Sequence, residues 1–381
     1  MKLSQNLYLR ELDNALALGK YQGVRAFNEG VYQYFGINKS QLKWLLETFF
    51  PIFKTLIVFC SFSFILIRFV LKEFQLFFQK SFDYHLRDEN LFLFFLPLFY
   101  NRCKSAEVFD GSKFWIVGGV VNPDNYDLQG KTLVSYKKTM KRKDYLRVLR
   151  LCFSTLWEYA RMYECYYAIY KIWNYYEAYI GLLHLTKDNN IFFSNQSDRW
   201  AIMFDALPSK SKTLIQHGIA SPTIVCPAQL LRIDTMYAIS KQTVDDMLYS
   251  VLNCRPEIKY LKPTICLTEI SSDKKTVLLV AHIMFFEQEK KILKILYDTG
   301  FDIWLKKHPE VKNDSCYKDL QIEYDYHYIT DAFFPKVDCV VSYQSTLAYE
   351  YMMFNVPTFI YDQNEGVDDD KLYKFLSNVK S

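Results

Sequence analysis

The sequence predicts an α/β protein with two domains, each built around a parallel β-sheet, and a helical, apolar segment before them. From residue 190 onward, short apolar runs alternate with stretches of helical length. This alternation is typical of parallel strands joined by helices. A polar stretch at 253–275 interrupts it before it resumes. We therefore expect a helical, apolar N-terminal region at 1–110 that is a candidate for membrane association, a first α/β domain at 111–260 and a second at 261–381.

Composition indicates a folded protein with a large core. Half of the residues are hydrophobic and 18% are aromatic, which excludes a mainly disordered chain. The formal net charge of +4 is too small to indicate a nucleic-acid partner. The nine cysteines include no CxxC pair, so we expect reduced thiols in a cytoplasmic protein and no metal site. The polar N-terminus lacks the apolar core of a signal peptide.

The most ambiguous stretch is apolar and runs from Phe49 to Leu71. Its uncharged core, Thr55 to Ile67, is shorter than the roughly 20 residues that a transmembrane helix needs. Three interpretations stay open: a helix that rests on the membrane, a short span, and a buried core helix. We favour the first, because phenylalanines continue beyond this stretch beside lysines. The basic run at 137–143 is expected to form a solvated loop or a surface that faces acidic lipid.

Before the polar stretch, the pattern predicts the first sheet and its helices. Leu91 to Tyr100 is an apolar run that predicts a buried strand, although Pro97 interrupts it. Asp144 to Leu185 has a helical pattern rich in tyrosine and tryptophan, which indicates packing; stacking against sugars is the alternative. Further elements are predicted as strands at 113–121, 191–193, 212–216 and 236–239, and as helices at 196–207 and 243–251.

A histidine that directly follows one of these strands is the strongest candidate of the first domain. His217 lies between Gln216 and Gly218, and a glycine here lets the backbone approach a ligand. A histidine at the carboxyl end of a buried strand suits a general base or a phosphate contact; one that merely ends the strand is the alternative. Gln216, Gly218 and Ser240 are expected to line the ligand-binding edge. His282, after the first strand of the second domain, either lines it or is structural.

The second domain contains a β-α-β unit with the features of an anion-binding site. Strands are predicted at Val337 to Val341 and at Val356 to Tyr361, with a helix at Thr346 to Phe354 between them. Ser345 or Thr346 is placed to cap this helix. Hydroxyls and free backbone N–H groups thus meet where a helix N-terminus follows the carboxyl end of a strand, and such a place binds phosphate.

Basic residues end another strand of this domain. Lys306 and Lys307 are followed by His308 and Pro309. The proline restricts the backbone before it to extended conformations, which fixes the direction of the imidazole. An imidazole together with a lysine ammonium can bind a phosphate or stabilise a departing nucleotide.

An acidic residue completes the candidate set of the second domain. Glu350 lies one helical turn beyond Thr346, on the same face of the helix. It is placed to accept hydrogen bonds from a ribose, whereas a solvated side chain is the ordinary interpretation of such a position. A strand at 276–281 and a helix at 286–299 are predicted earlier in this domain.

Taken together, these motifs resemble GT-B glycosyltransferases of bacterial surface-polymer synthesis, including CDP-glycerol glycerophosphotransferases, capsule Kdo-transferases and bacterial sialyltransferases. The resemblance covers roughly 190–362 and implies two Rossmann-like domains that face a central cleft. The motifs that carry it are His217-Gly218, His308-Pro309, Ser345-Thr346 and the spacing from Glu350 to Pro357. The acidic pair before glycine that serves as the base in bacterial sialyltransferases has no counterpart in this sequence.

The resemblance also implies a role for each of these residues. His308, Ser345 and Thr346 would contact the donor nucleotide and its phosphate, together with Lys306 or Lys307. Glu350 would hold the donor ribose, and His217 would be catalytic.

The sequence therefore predicts a metal-independent and cofactor-free glycosyltransferase. It would move a sugar or polyol phosphate from a CMP-, CDP- or UDP-linked donor to a surface polysaccharide or a lipid-linked glycan. We expect it at the inner face of the cytoplasmic membrane, in peripheral contact with lipid. Two alternatives remain: a nucleotide-sugar epimerase of the same fold, and a non-catalytic component of polysaccharide assembly or export.

Overall fold

The chain folds into two compact units, Met1–Lys259 and Tyr260–Ser381. Each unit is built on its own parallel sheet with helices between the strands, which confirms the predicted fold class of two α/β domains. The computed structural model describes residues 7–8, 10, 59–75, 86–94, 99–109, 114–118, 132–162, 172–196, 200–219, 225–282, 285–307, 315–329, 332–361 and 366–381.

The first unit contains a seven-stranded sheet. Its strands are β1 (Asn90–Phe94), β2 (Phe114–Gly118), β3 (Thr132–Val134), β4 (Asn190–Phe193), β5 (Ser211–Ile215), β6 (Thr235–Ala238) and β7 (Glu257–Tyr260). They lie in the order β3-β2-β1-β4-β5-β6-β7. The pairings from β3 across to β6 are parallel, so the carboxyl ends of these strands share one edge of the sheet.

The described helices of the first unit connect these strands or precede them. They are α1 (59–75), α2 (Phe99–Ser105), α3 (Arg142–Met162), α4 (Ile172–Thr186), α5 (Ala201–Ala206) and α6 (Lys241–Ser250). The single helical region predicted at 144–185 thus contains two helices. Trp173, Tyr175 and Tyr176 of α4 are fully buried. For these three aromatic residues, the packing interpretation is confirmed.

Strand β1 is an interior strand of the sheet and lies between β2 and β4. Residues 91–93 are fully buried, as an apolar run in a parallel sheet that is covered on both faces should be. The sheet therefore begins before residue 111, where the sequence analysis started the first domain. The described strand ends at Phe94, and the strand predicted at Leu91–Tyr100 is wrong at its end, where Phe99 and Tyr100 belong to α2. Residues 95–98 lie outside the described residues.

Helix α1 has one packed side and one exposed side. Ser61 and Ile65 are buried, whereas Ile67, Val70 and Leu71 are each more than half exposed. A helix buried on all sides, one of the three interpretations, is therefore wrong for this part of the apolar stretch; the part before residue 59 lies outside the described residues. Among the residues that the structure describes, no helix is both long and apolar enough to cross a membrane.

The second unit contains a five-stranded sheet. Its elements are β8 (Thr276–Ala281), α7 (Phe286–Asp298), β9 (Asp302–Lys307), α8 (Ser315–Glu323), β10 (His327–Ile329), β11 (Cys339–Ser342), α9 (Thr346–Met353), β12 (Thr358–Ile360) and α10 (Asp369–Lys380). The strands lie in the order β10-β9-β8-β11-β12, and all four pairings are parallel. The β-α-β unit predicted from the sequence is β11, α9 and β12, which confirms that prediction.

Candidate active site

His217 lies at the carboxyl edge of the first sheet, just beyond β5. Its Nδ1 is hydrogen-bonded to the backbone carbonyl oxygen of Ser194, which follows the neighbouring strand β4. A carbonyl oxygen only accepts hydrogen bonds, so Nδ1 carries a proton and the neutral ring has its basic lone pair on Nε2. The adjacent strand thus fixes both the tautomer and the direction of the ring. A general base that acts through Nε2 needs this tautomer.

Gln216 supports the loop that carries His217. Its side chain is fully buried, and Oε1 accepts hydrogen bonds from the Ile239 backbone N–H at 2.9 Å and the Thr243 hydroxyl at 3.0 Å. Nε2 donates to the carbonyl oxygen of Gly218 at 2.9 Å. The amide therefore joins the ends of β5 and β6 to the start of α6. This is a correction to the expectation that Gln216 lines a ligand site, because its polar atoms are buried and bonded within the protein.

Gly218 and Ser240 have different roles at this edge. A Cβ atom at Gly218 would meet no described atom within 4 Å, so packing does not require glycine and the open space lies beside the loop backbone. Ser240 is the N-cap of α6: its Oγ accepts from the Thr243 N–H at 3.3 Å, and its own N–H donates to the Thr243 hydroxyl at 3.0 Å. Ser240 therefore stabilises the helix start, and its expected contact with a ligand stays a prediction.

Three consecutive polar residues at the end of β4 complete this edge. Ser194, Asn195 and Gln196 are buried, and the Gln196 amide donates to the Gly218 carbonyl oxygen at 3.0 Å. Ser194 Oγ and Gln196 Oε1 are buried without a hydrogen-bond partner among the described residues. Such atoms are costly to bury unless a ligand or water satisfies them. The sequence analysis missed these residues, although a polar run directly after an apolar strand was the available signal.

In the second unit, Ser345 is the N-cap of α9, which confirms its predicted role as a cap. Its Oγ accepts from the Ala348 N–H at 3.2 Å and lies 2.9 Å from the hydroxyl of Ser342, the last residue of β11. Thr346 follows as the first residue of the helix and is half-buried. The first N–H groups of a helix have no acceptor within it, so this turn presents donors to an anion.

Glu350 lies one turn further along α9 and is buried. Its carboxylate accepts hydrogen bonds from the Thr264 hydroxyl at 2.7 Å and the Thr264 backbone N–H at 3.1 Å. It therefore ties the segment that enters the second unit to α9. Two roles were predicted for Glu350, a contact to the donor ribose and a solvated position on the helix surface. The buried bonds correct the solvated interpretation, and ribose binding by Glu350 stays a prediction.

Lys306 and Lys307 end β9, as expected. Lys307 pairs with Ala281 of β8, so both lysines lie at the carboxyl edge. Lys306 Nζ donates to the Phe333 carbonyl oxygen at 3.2 Å and lies 4.6 Å from the centre of the Phe334 ring. Successive side chains of a strand point to opposite faces of the sheet, so the Lys306 and Lys307 side chains lie on opposite faces at this edge.

The order of the strands also brings the lysines near the N-terminus of α9. Strand β8 lies between β9 and β11, and all three are parallel. The lysines of β9 and the hydroxyls of Ser342 and Ser345 after β11 therefore belong to the same edge of the sheet. His308 and Pro309 lie outside the described residues, and their roles stay predictions.

A buried carboxylate that the sequence analysis missed holds the turn after β8. Glu289 of α7 is fully buried and accepts hydrogen bonds from the His282 backbone N–H at 2.7 Å, the Tyr317 hydroxyl at 2.5 Å and the Tyr361 hydroxyl at 3.1 Å. Burial raises the pKa of Glu289 to about 7. The His282 ring meets Tyr343 edge-on, with ring centres 5.8 Å apart. These contacts hold His282 at the carboxyl edge, and its role in lining a ligand site stays a prediction.

No protein-family model matches the sequence, and no curated protein matches it. Among solved structures, similar ones include the wall teichoic acid polymerase TagF, at 11% identity and a TM-score of 0.35, over 72% of this chain and 69% of that protein. A UDP-N-acetylglucosamine 2-epimerase from Rickettsia bellii is 12% identical, with a TM-score of 0.31, over 72% and 78% of the two chains. Acinetobacter baumannii MurG is 10% identical, with a TM-score of 0.34, over 77% and 91%.

At TM-scores of 0.31–0.35 and identities of 10–12%, none of these likenesses assigns an activity or a substrate to this chain.

Proposed function

We propose that the protein is a glycosyltransferase that moves a sugar or polyol phosphate from a nucleotide-activated donor to a hydroxyl of a surface glycan or lipid-linked acceptor. The observation that supports this most is the bond from His217 Nδ1 to the Ser194 carbonyl oxygen. It gives a neutral histidine its lone pair on Nε2, at the carboxyl edge where parallel α/β sheets bind ligands.

In the proposed reaction, His217 Nε2 takes the proton of the acceptor hydroxyl as its oxygen attacks the donor. The new bond joins that oxygen to the sugar carbon or phosphorus atom of the donor, and the nucleotide leaves with the electron pair of the broken bond. The buried oxygens of Ser194 and Gln196 are suited to bind a further hydroxyl of the acceptor, since no described residue satisfies them.

The second unit would hold the nucleotide. The N-terminus of α9 offers backbone N–H groups and the hydroxyls of Ser345 and Thr346 to the donor phosphate. A lysine at the end of β9 adds a positive charge at the same edge. Together these groups can stabilise the charge of the leaving nucleotide, as the sequence analysis expected for a metal-independent reaction. His308 and Glu350 are proposed contacts for the phosphate and the ribose.

The experiment that tests this function offers the full-length chain a panel of CMP-, CDP- and UDP-linked donors and measures nucleotide release. Each donor is tested alone and with a lipid-linked glycan acceptor. Nucleotide release that depends on the acceptor supports transfer. Conversion of the donor sugar without an acceptor would indicate an epimerase instead. If no donor is turned over with or without the acceptor, the protein would be a non-catalytic component.

A further inference from the structure

We propose that the exposed side of helix α1, with the basic residues beside it, docks on an anionic lipid surface. The side chains on this side are 38–68% exposed. They are Phe59, Phe62, Phe64, Leu66, Ile67, Val70, Leu71 and Phe74. Most of these positions repeat every three or four residues, which places them on one face of the helix. We call this set the apolar face of α1.

The charged residues of α1 hold the helix with its apolar face outward. Lys72 lies 3.3 Å from the carboxylate of Glu177, which is buried in the middle of α4. Glu73 pairs with Arg142 at 2.8 Å. An ordinary surface helix buries its apolar stripe and exposes its charges, whereas Lys72 and Glu73 of α1 form ion pairs with α4 and α3. A contiguous exposed apolar surface on such a helix marks an interaction site.

Helix α3 runs antiparallel to α1 and extends the surface. The rings of Phe62 and Phe153 stack with centres 4.5 Å apart, while Glu73 pairs with Arg142 at the other end. One turn beyond Phe153, Trp157 is 68% exposed. Tryptophan is enriched where proteins meet the interface between water and lipid, so an exposed tryptophan beside the apolar face fits a lipid surface.

Positive charge lies at the end of α1 that contacts Arg142. The exposed basic residues here are Lys137, Lys138, Lys141, Arg142 and Lys143. Asp144, the acidic residue next to them, is buried and accepts a hydrogen bond from the Lys141 N–H at 2.8 Å. Lys137 lies 3.9 Å from the Glu177 carboxylate and Arg142 pairs with Glu73. The outward positive charge of this segment therefore comes from Lys138, Lys141 and Lys143, and it complements anionic headgroups. A second copy of the chain would bring another apolar face together with another set of like charges, which are mutually repulsive.

The experiment measures co-sedimentation of the full-length chain with vesicles of phosphatidylcholine alone and of phosphatidylcholine mixed with phosphatidylglycerol. We expect binding to the mixed vesicles that weakens with added salt. Two charges in the apolar face, Ile67→Glu with Leu71→Glu, should weaken binding at least about tenfold. The basic pair Lys141→Glu with Lys143→Glu should weaken it by a similar factor for the mixed vesicles.

Matched controls come from the second unit. Ile322→Glu changes an apolar side chain that is 87% exposed, and Lys294→Glu with Lys374→Glu reverses two exposed charges. Neither should alter vesicle binding, and all variants should melt like the wild type. Equal binding by the α1 double variant and the wild type would overturn the proposal. So would failure of the wild type to bind mixed vesicles, or a dimer in solution that the α1 double variant converts to monomers.

Discussion

At the scale of single residues, the side chain of Gln216 holds the loop that carries His217 in place. Gln216 makes three hydrogen bonds from a fully buried position, and two of them reach groups beyond its own loop. This amide is a positioning group, since it fixes where the strand ends and the His217 loop begins.

We predict that Gln216→Leu lowers the free energy of unfolding by about 2–4 kcal/mol, because the buried N–H of Ile239 and the Thr243 hydroxyl lose their acceptor. Urea denaturation checks this value. The matched control is Gln229→Leu, which removes an exposed hydrogen bond to the Tyr249 carbonyl oxygen; it should cost no more than about 0.5 kcal/mol. Equal losses in the two variants would show that the Gln216 network does not hold the edge.

A second prediction at this scale concerns pH. Burial raises the pKa of Glu289 to about 7 from an ordinary 4.5, so the folded state holds this proton more tightly than the unfolded state. The resulting contribution to stability is complete below pH 4.5 and is lost as the pH rises to about 7. We expect Glu289→Gln to remove this loss, of the order of 3 kcal/mol. A glutamine Oε1 can accept from the His282 N–H and the Tyr361 hydroxyl, while its Nε2 donates to the Tyr317 oxygen.

Denaturation of wild type and variant between pH 4.5 and 8 measures this difference. Glu287→Gln, at an exposed position on the same helix, is the control and should follow the wild type. A constant difference between Glu289→Gln and the wild type across this range would contradict the raised pKa.

The sequence reveals candidates at the residue scale, but not their partners. His217 was predictable as a histidine that directly follows an apolar strand. Its acceptor, the Ser194 carbonyl oxygen, was not, because the contact depends on β4 lying next to β5. Glu289 looked like an ordinary acidic residue in a first helical turn. Only the fold shows that it points at three buried donors.

At the scale of elements, the N-terminus of α9 is the proposed site for the donor phosphate. We predict that Thr346→Asp has opposite effects on stability and on ligand affinity. A carboxylate in the first turn interacts favourably with the helix dipole and should raise the free energy of unfolding by about 0.3–1 kcal/mol. The same charge repels a phosphate, so the affinity for a nucleotide should fall at least about tenfold.

Calorimetric titration with CDP and UDP, together with thermal melting, measures both effects. Thr346→Asn has the same shape without the charge and is the matched control, which should bind nucleotide nearly as tightly as the wild type. Unchanged affinity in Thr346→Asp would place the nucleotide away from α9.

Elements with a strong apolar pattern were predictable, and short polar ones were not. Strand β8 has the predicted bounds, because all six of its residues are buried and apolar or β-branched. Helix α8 and strand β10 lie in a stretch where no element was predicted. His327 begins β10, because the edge of the sheet accepts a short strand with an exposed face.

For the whole molecule, the alternation of strands and helices was enough to predict two parallel α/β units. It was not enough to predict that β1 lies inside the first sheet, between β2 and β4, because strand order follows from long-range pairing. The outward orientation of the apolar face of α1 was not predictable from the sequence either. The sequence shows an apolar stretch, whereas the pairing of Lys72 with Glu177 decides which side faces out.

The central claim is that His217 is the base of a transfer from a nucleotide-activated donor. The most direct test is the rate of nucleotide release at saturating donor and acceptor by wild type, His217→Ala and the control His327→Ala, with donor affinity measured in parallel. We predict that His217→Ala is about 10²–10⁴-fold slower with unchanged donor affinity, while His327→Ala, which lacks a half-exposed ring of the second unit, keeps the wild-type rate. A wild-type rate in folded His217→Ala would show that His217 is not the base of the reaction.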